Sequence, residues 1–320
     1  MLSTRGQLAW DKRLSHQRLH EELPLFSHRY SSSHNKQEFF QWLVGFTDGD
    51  GCFSIVRQNN RWSLTFQISQ NTYNLRLLHY IKTQLGVGSI FVESNRNMAH
   101  FRIRDMKILS SVIFPIFNQY PLLTSKYHHY IKFVKAYDIL NDPNQKNNRD
   151  ESIQLLLSQT ITDNSVIWEK INNSVNNTTD ANLIMSKSWL IGFTEAEGSF
   201  YLVSKSPNRI VHGFGISQKL DSIVLTAIGY ILGIKTKVKS HKNGFYMIDT
   251  TNSRAIENII EYFESTMNGI KSLEYRIWAR AYVKHKGDFE ALKKIREQMR
   301  KMKNHTQLVS TDNLPPDEIL

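Results

Sequence analysis

The stretch "WLVGFTDGDGCF" (residues 42–53) returns 147 positions later as "WLIGFTEAEGSF" (residues 189–200). Each copy is a short apolar run closed by two acids with one small residue between them. The similarity continues downstream: "LTFQISQNTYNLRLLHYIKTQLGVGSI" (64–90) aligns with "HGFGISQKLDSIVLTAIGYILGIKTKV" (212–238). Later, "YPLLTSKYHHYIKFVKAY" (120–137) has its counterpart in "STMNGIKSLEYRIWARAY" (265–282). A repeat of this length predicts one structural unit used twice, related by an approximate twofold axis.

Within each unit the pattern reads helix, two strands, helix, two strands, helices. Trp62, Leu64, Phe66 and Ile68 alternate with Ser63, Thr65, Gln67 and Ser69, the period of a strand with one apolar and one polar face. Phe101 and Ile103 alternate in the same way with His100, Arg102 and Arg104. In the second unit Lys235, Lys237, Lys239 and His241 are expected on one face of a strand. The predicted class is α+β: two pseudo-symmetric αββαββα units, with antiparallel sheets packed on helices by their apolar sides. The expected boundaries are a poorly ordered leader at 1–37, a first unit at 38–140, a linker at 141–185, a second unit at 186–303 and a tail at 304–320. The leader has arginines and serines, but Asp11, Glu21 and Glu22 argue against an organellar presequence. The Asn-rich linker is too poor in apolar residues to hold structure unaided, apart from "SIQLLLSQ" and "SVIWEKI".

Charge points to a polyanion. The 320 residues carry 40 Lys and Arg against 29 Asp and Glu, a net +11. Residues 42–140 hold 11 against 5 and residues 189–304 hold 19 against 11, whereas 141–188 hold 4 against 6. Two basic blocks flank a mildly acidic connector, as expected if both blocks touch one nucleic acid. The single cysteine, Cys52, rules out an internal disulfide. No segment reaches the length of apolar sequence that crosses a membrane.

The repeated dodecamer decides the chemistry. Gly45 and Gly49 lie four residues apart on one helix face, and Gly192 and Ala196 repeat the spacing, so the two helices are expected to pack closely as the seam between units. That places Asp50 and Glu197 at neighbouring helix C-termini, where the partial charge is already negative. Crowded carboxylates of this kind call for a hard cation such as Mg²⁺. Gly51 and Gly198 are expected as left-handed helix caps.

With "LVGFTDGDG" at 43–51 and "LIGFTEAEG" at 190–198, the chain resembles the LAGLIDADG homing endonucleases, specifically the single-chain members with two motifs. The resemblance covers roughly 38–140 and 186–303. It implies a metal-dependent, site-specific DNA endonuclease that acts as a monomer on a long asymmetric target, leaves 3′ overhangs and promotes intron mobility. It further implies that Asp50 and Glu197 bind Mg²⁺, for which Mn²⁺ is a substitute, while Asp48 and Glu195 pack or cap. Gln70 and Gln218 would order water near the metals, and Lys126 and Lys271 would counter developing charge. The sheets would form a saddle on double-stranded DNA. Contacts are expected from Arg57, Arg61, Ser63, Thr65, Gln67, Arg102 and Arg104, and from Lys205, Arg209, Lys235, Lys237 and Lys239. Members of this family also act as maturases on their host intron RNA, which is the alternative reading. The family's intron-encoded members of this type are typical of organelles, and the Asn- and Ile-rich composition resembles a fungal mitochondrial reading frame.

Overall fold

The first helix of the fold ends on an acid, and a strand begins at the next residue. The computed structural model describes residues 33–160, 165–241 and 244–308. Most of the expected leader (1–32) and of the tail (309–320) lies outside these. The described residues from Gln37 onward pack as one body.

In the first unit α1 (Ser33–Asp50) runs directly into β1 (Gly51–Gln58), which turns back as β2 (Arg61–Asn71). Asn59 and Asn60 make this two-residue turn with φ of 49° and 57°, left-handed values that asparagine tolerates and that match the twist of a hairpin. Then come α2 (Leu75–Leu85), β3 (Ser89–Glu93) and β4 (Met98–Ile103). A helical stretch ending in α3 (Phe114–Gln119) leads to α4 (Lys126–Asn141). The second unit repeats the order with α7 (Lys187–Glu197), β5 (Gly198–Ser206), β6 (Arg209–Gln218), α8 (Ser222–Leu232), β7 (Lys239–Ser240), β8 (Tyr246–Thr250), α9 (Ser253–Phe263) and α10 (Lys271–His285). A last helix, α11 (Phe289–Leu308), has no repeat partner in sequence.

Both sheets are antiparallel, with strand orders β1-β2-β4-β3 and β5-β6-β8-β7. The apolar alternation fills the side against the helices: Phe53, Phe66, Ile68, Phe101 and Phe117 cluster in one unit, and Phe200, Phe214, Ile248, Phe263 and Trp278 in the other. This is the expected α+β arrangement.

The seam is set by absent side chains. A Cβ added to Gly45 would lie 2.0 Å from the main-chain oxygen of Trp189, and one added to Gly192 would lie 2.0 Å from that of Trp42. Gly49 faces Ala196 in the same contact, 2.3 Å from an added Cβ. Backbone therefore rests on backbone, and no rotamer change could make room.

Three expectations are corrected. Gly51 and Gly198 are not left-handed caps, since neither has a positive φ. They open β1 and β5, and glycine is needed because a Cβ would strike Thr47 and Thr194 in the preceding turn, at 2.4 and 2.5 Å. The left-handed caps belong instead to Gly86 and Gly233, after α2 and α8. The expected strand through Lys235 and Lys237 is only the two residues of β7, because pairing with β8 is limited to Lys239 with Met247 and Ser240 with Tyr246. The linker carries more structure than its composition promises. The two stretches of it expected to hold structure do so, as α5 (Arg149–Ser158) and a 3₁₀ turn over Val166–Ile171, and the unexpected addition is α6 (Thr178–Ile184). Its asparagines supply the joints: Asn172 and Asn173 take positive φ, and the Asn177 side chain caps α6 by accepting from the main-chain N–H of Asp180.

Gly192→Ala tests the seam. Alanine raises helix propensity by about 1 kcal/mol, but the overpacked contact is expected to cost more, roughly 1–3 kcal/mol or above. Thermal unfolding should show a lowered Tm; an unchanged or raised Tm would contradict the close contact.

Candidate active site

Because α1 and α7 lie backbone to backbone, the last residue of each, Asp50 and Glu197, falls at one end of the seam. The Glu197 side chain lies against Gly49, with its Cγ 3.2 Å from where a Cβ would stand. Burial raises the proton affinity of both carboxyls, and Asp50 raises that of Glu197 further. Lys126 and Lys271 act against this on both. The Asp50 carboxylate accepts from Gln70 Nε2 at 2.6 Å. No described residue donates a hydrogen bond to Glu197.

The other acid of each motif has a different environment. Asp48 is buried and accepts from the main-chain N–H groups of Leu123 (2.8 Å) and Thr124 (3.2 Å) and from the Thr124 hydroxyl (2.5 Å). Glu195 accepts from the N–H groups of Asn268 and Gly269, both at 2.7 Å. Each acid thus holds the loop that leads into the lysine-bearing helix of its own unit. Each is also gripped by the opposite motif: Trp189 Nε1 donates to Asp48 at 2.8 Å, and Trp42 Nε1 donates to Glu195 at 2.6 Å. These two reciprocal bonds clasp the units across the seam. Sequence reasoning assigned no role to the tryptophans, although a Trp six residues before the inner acid of both copies was the available signal.

Lys126 and Lys271 are the first residues of α4 and α10, but they are held differently. Lys126 Nζ donates to the main-chain oxygens of Thr47 (2.8 Å) and Gly49 (2.7 Å), neutralising the negative end of α1. Burial weakens its hold on its proton, while Asp48, Asp50 and Glu197 act the other way. Lys271 instead pairs with Glu274 at 3.5 Å. The loop before α4 is further fixed by the linker, where Ser165 Oγ donates to the Leu122 oxygen at 2.8 Å and Trp168 Nε1 to that of Leu123 at 2.7 Å.

The expected DNA-contacting residues divide by sheet register. Arg61, Ser63, Thr65, Gln67 and Arg102 alternate onto the face turned away from the apolar core. Arg102 Nε donates to Gln67 Oε1 at 2.6 Å, with its guanidinium 5.2 Å from the centre of the Phe91 ring. Arg104 follows the strand end and is exposed. Arg57 is a correction. It falls in step with Phe53 and Ile55 on the opposite face, and its guanidinium is taken by Asp150 of α5 at 2.5 Å, beside Trp62 Nε1 at 2.6 Å. In the second sheet the outward face carries Tyr201, Val203, Val211 and two glycines, not a row of cations. Lys205 lies exposed in a β-bulge between Ser204 and Ser206, Arg209 is exposed at the start of β6, and Lys235 and Lys237 are exposed in the connection before β7. Lys239 is engaged by Asp249 at 2.9 Å.

The geometry has relatives. A profile described as LAGLIDADG endonuclease matches residues 43–137 and 190–282, more than half of the chain. A "probable intron-encoded endonuclease Cox1-I1b" from Schizosaccharomyces pombe is 44% identical over 289 residues, covering 86% of this chain and 71% of that protein. An "uncharacterized mitochondrial protein RF1" from Saccharomyces cerevisiae is 29% identical over 255 residues. These cover 74% of this chain but only 47% of that one. Among solved structures, the meganuclease I-SmaMI bound to uncleavable DNA superposes with a TM-score of 0.69 at 24% identity, over 83% of this chain and 98% of its own. Another structure of it, with uncleaved DNA and calcium ions, gives 0.68 over 82% of this chain and 98% of its own, also at 24% identity. At that identity the likeness is one of fold.

Glu195 carries a stability signature. Burial pushes its carboxyl up to about 7, against the pull of Gly269, Trp42 and Asn268. The folded protein then holds this proton more tightly than the unfolded chain does, so the contribution is full below the ordinary glutamate value of 4.5 and is lost as pH rises towards 7. Urea midpoints should fall across this window in the wild type, and the Glu195→Gln variant should lose that part of the slope. Identical slopes would contradict the assignment.

Proposed function

The chain belongs to the LAGLIDADG endonuclease family, and on that premise we propose that it is a homing-type, site-specific DNA endonuclease that cuts both strands of a long, asymmetric duplex target by metal-dependent phosphodiester hydrolysis. One chain supplies both motifs, so a monomer carries a complete centre. The observation that carries the reading is the meeting of Asp50 and Glu197 at the joined ends of α1 and α7. Two carboxylates of raised proton affinity, one of them without a donor, form a centre short of positive charge.

The donor set fits a hard divalent cation, Mg²⁺ first and Mn²⁺ as its substitute. Among the described residues no cluster of three or more His, Cys, Asp or Glu is available, so the protein would offer two carboxylates and leave the remaining positions to water and phosphate oxygens. That is the habit of Mg²⁺, which keeps several waters and takes one or two carboxylates together with substrate phosphates. Bound there, the metal would polarise the scissile phosphate, lower the pKa of a water and stabilise the departing 3′ oxygen.

The surrounding residues prepare that event. Asp48 and Glu195 hold the lysine loops, so Lys126 and Lys271 reach the charge that develops on phosphate. Gln70 directs its amide N–H at Asp50 and so fixes the carboxylate's orientation. Gln218 is its counterpart in the second unit. The outward faces of the sheets would lie along the duplex, with Gln67 and Arg102 presenting side-chain groups suited to base edges and the exposed lysines to phosphates. An origin in a mitochondrial intron is supported by the names of the relatives.

Asp50→Asn and Glu197→Gln should each abolish double-strand cleavage in Mg²⁺ while leaving DNA binding within a few-fold of wild type in a gel-shift titration. Full cleavage by either variant would remove the metal assignment. Affinity should also fall steeply between low and moderate salt, since each neutralised phosphate releases counterions. A salt-insensitive complex would contradict the DNA surface.

A further inference from the structure

The amide of Gln70 has two ends, and which end faces Asp50 is decided elsewhere in the fold. The main-chain N–H of Ile270, at the start of α10, only donates, so the Asn74 atom 3.0 Å from it is Oδ1. The other end of Asn74 is then Nδ2, which only donates, and it meets Gln70 Oε1 at 2.7 Å. That leaves Gln70 Nε2 to donate to Asp50 Oδ2 at 2.6 Å. An unambiguous backbone donor therefore propagates one orientation through two amides to a carboxylate, settling assignments that atom positions alone leave open.

The residue immediately before the corresponding helix of the second unit, α8, is Asp221, as Asn74 is before α2. It accepts from the Ser125 N–H at 2.7 Å and the Ser125 hydroxyl at 3.0 Å, just before Lys126. The two residues thus cross the seam in mirrored fashion: Asn74 reaches the residue before Lys271, and Asp221 the residue before Lys126. A carboxyl group has no N–H to hand on, however, and no described residue hydrogen-bonds the Gln218 amide.

Resting on the site reading above, we propose that Asn74 is a positioning residue: it holds the Gln70 amide with its donor end on Asp50, and it does so for one half of the active centre only. The two halves are then prepared unequally. Gln70 is oriented before DNA arrives, whereas Gln218 takes its orientation from the substrate.

Asn74→Asp separates this role from docking of the units. It keeps the oxygen that receives the Ile270 N–H and removes the N–H that holds Gln70. With a supercoiled target plasmid and strand-labelled duplex, the variant is expected to slow cleavage of one strand by about tenfold or more, the scale of one hydrogen bond to a charged group. The other strand and DNA affinity should stay near wild type, while Tm falls because Asn74 is buried. The effect should disappear in a Gln70→Ala background, because Asn74 acts through Gln70; a new charge acting directly on Asp50 would persist there. Equal slowing of both strands, or a strand-selective effect that survives Gln70→Ala, would overturn the proposal. Should Asn74→Asp fail to fold, Asn74→Ser in the same pair of backgrounds reads the same coupling. If Gln70→Ala itself leaves both strands cut at the wild-type rate, the site reading fails first. If Gln70→Ala impairs cleavage and the Asn74 variants do not, only the positioning role fails.

Discussion

Everything in this protein hangs on a contact made without side chains. Gly45 meets the carbonyl of Trp189, Gly192 meets the carbonyl of Trp42, and each approach is closed to any residue with a Cβ. Glycine inside a helix costs about 1 kcal/mol relative to alanine, and here that cost brings two helix axes close enough for their ends to share one small volume. A wider crossing would separate Asp50 from Glu197 and leave the inner acids beyond the opposite tryptophans. The close contact therefore precedes both the clasps and the centre.

Around that contact the two acids of each motif divide the work. The inner ones, Asp48 and Glu195, are saturated with donors and tie three parts of the fold together: their own helix, their own lysine loop and the opposite tryptophan. The outer ones, Asp50 and Glu197, are left with one donor and none. A saturated buried carboxylate is a structural anchor, while an undersupplied one at a helix C-terminus is a place for a cation. The near-twofold arrangement is not carried through to the details. Lys126 caps the first motif helix while Lys271 faces Glu274, Gln70 is held while Gln218 is not, and the cations of the second sheet gather at its ends.

Much of this was legible in the sequence because it is local. The repeat, the glycine spacing, the acids at the helix ends and the strand alternation all follow from one- and two-turn patterns. For Arg57 the sequence carries a usable signal, since Phe53, Ile55 and Arg57 share the period of two that puts all three on the side opposite Arg61 and Ser63. Its partner Asp150 was out of reach, 93 residues away in a linker whose asparagines read as disorder but serve as caps and left-handed joints. The length of β7 depends on how much of β8 is free to pair, which no local pattern records. The expected left-handed caps at Gly51 and Gly198 failed because helix passes straight into strand there, and the glycines answer to Thr47 and Thr194. The crossed bonds of Asn74 and Asp221 join positions that only the seam brings together.

The central claim is that the joined ends of α1 and α7 form one cation-dependent centre. Its most direct test is anomalous diffraction from crystals of the protein with its DNA target and Mn²⁺. Anomalous density is expected between the Asp50 and Glu197 carboxylates and the phosphates they face, and it should vanish in the Asp50→Asn, Glu197→Gln double variant bound to the same duplex. Metal density confined to sites away from these two carboxylates would contradict the account.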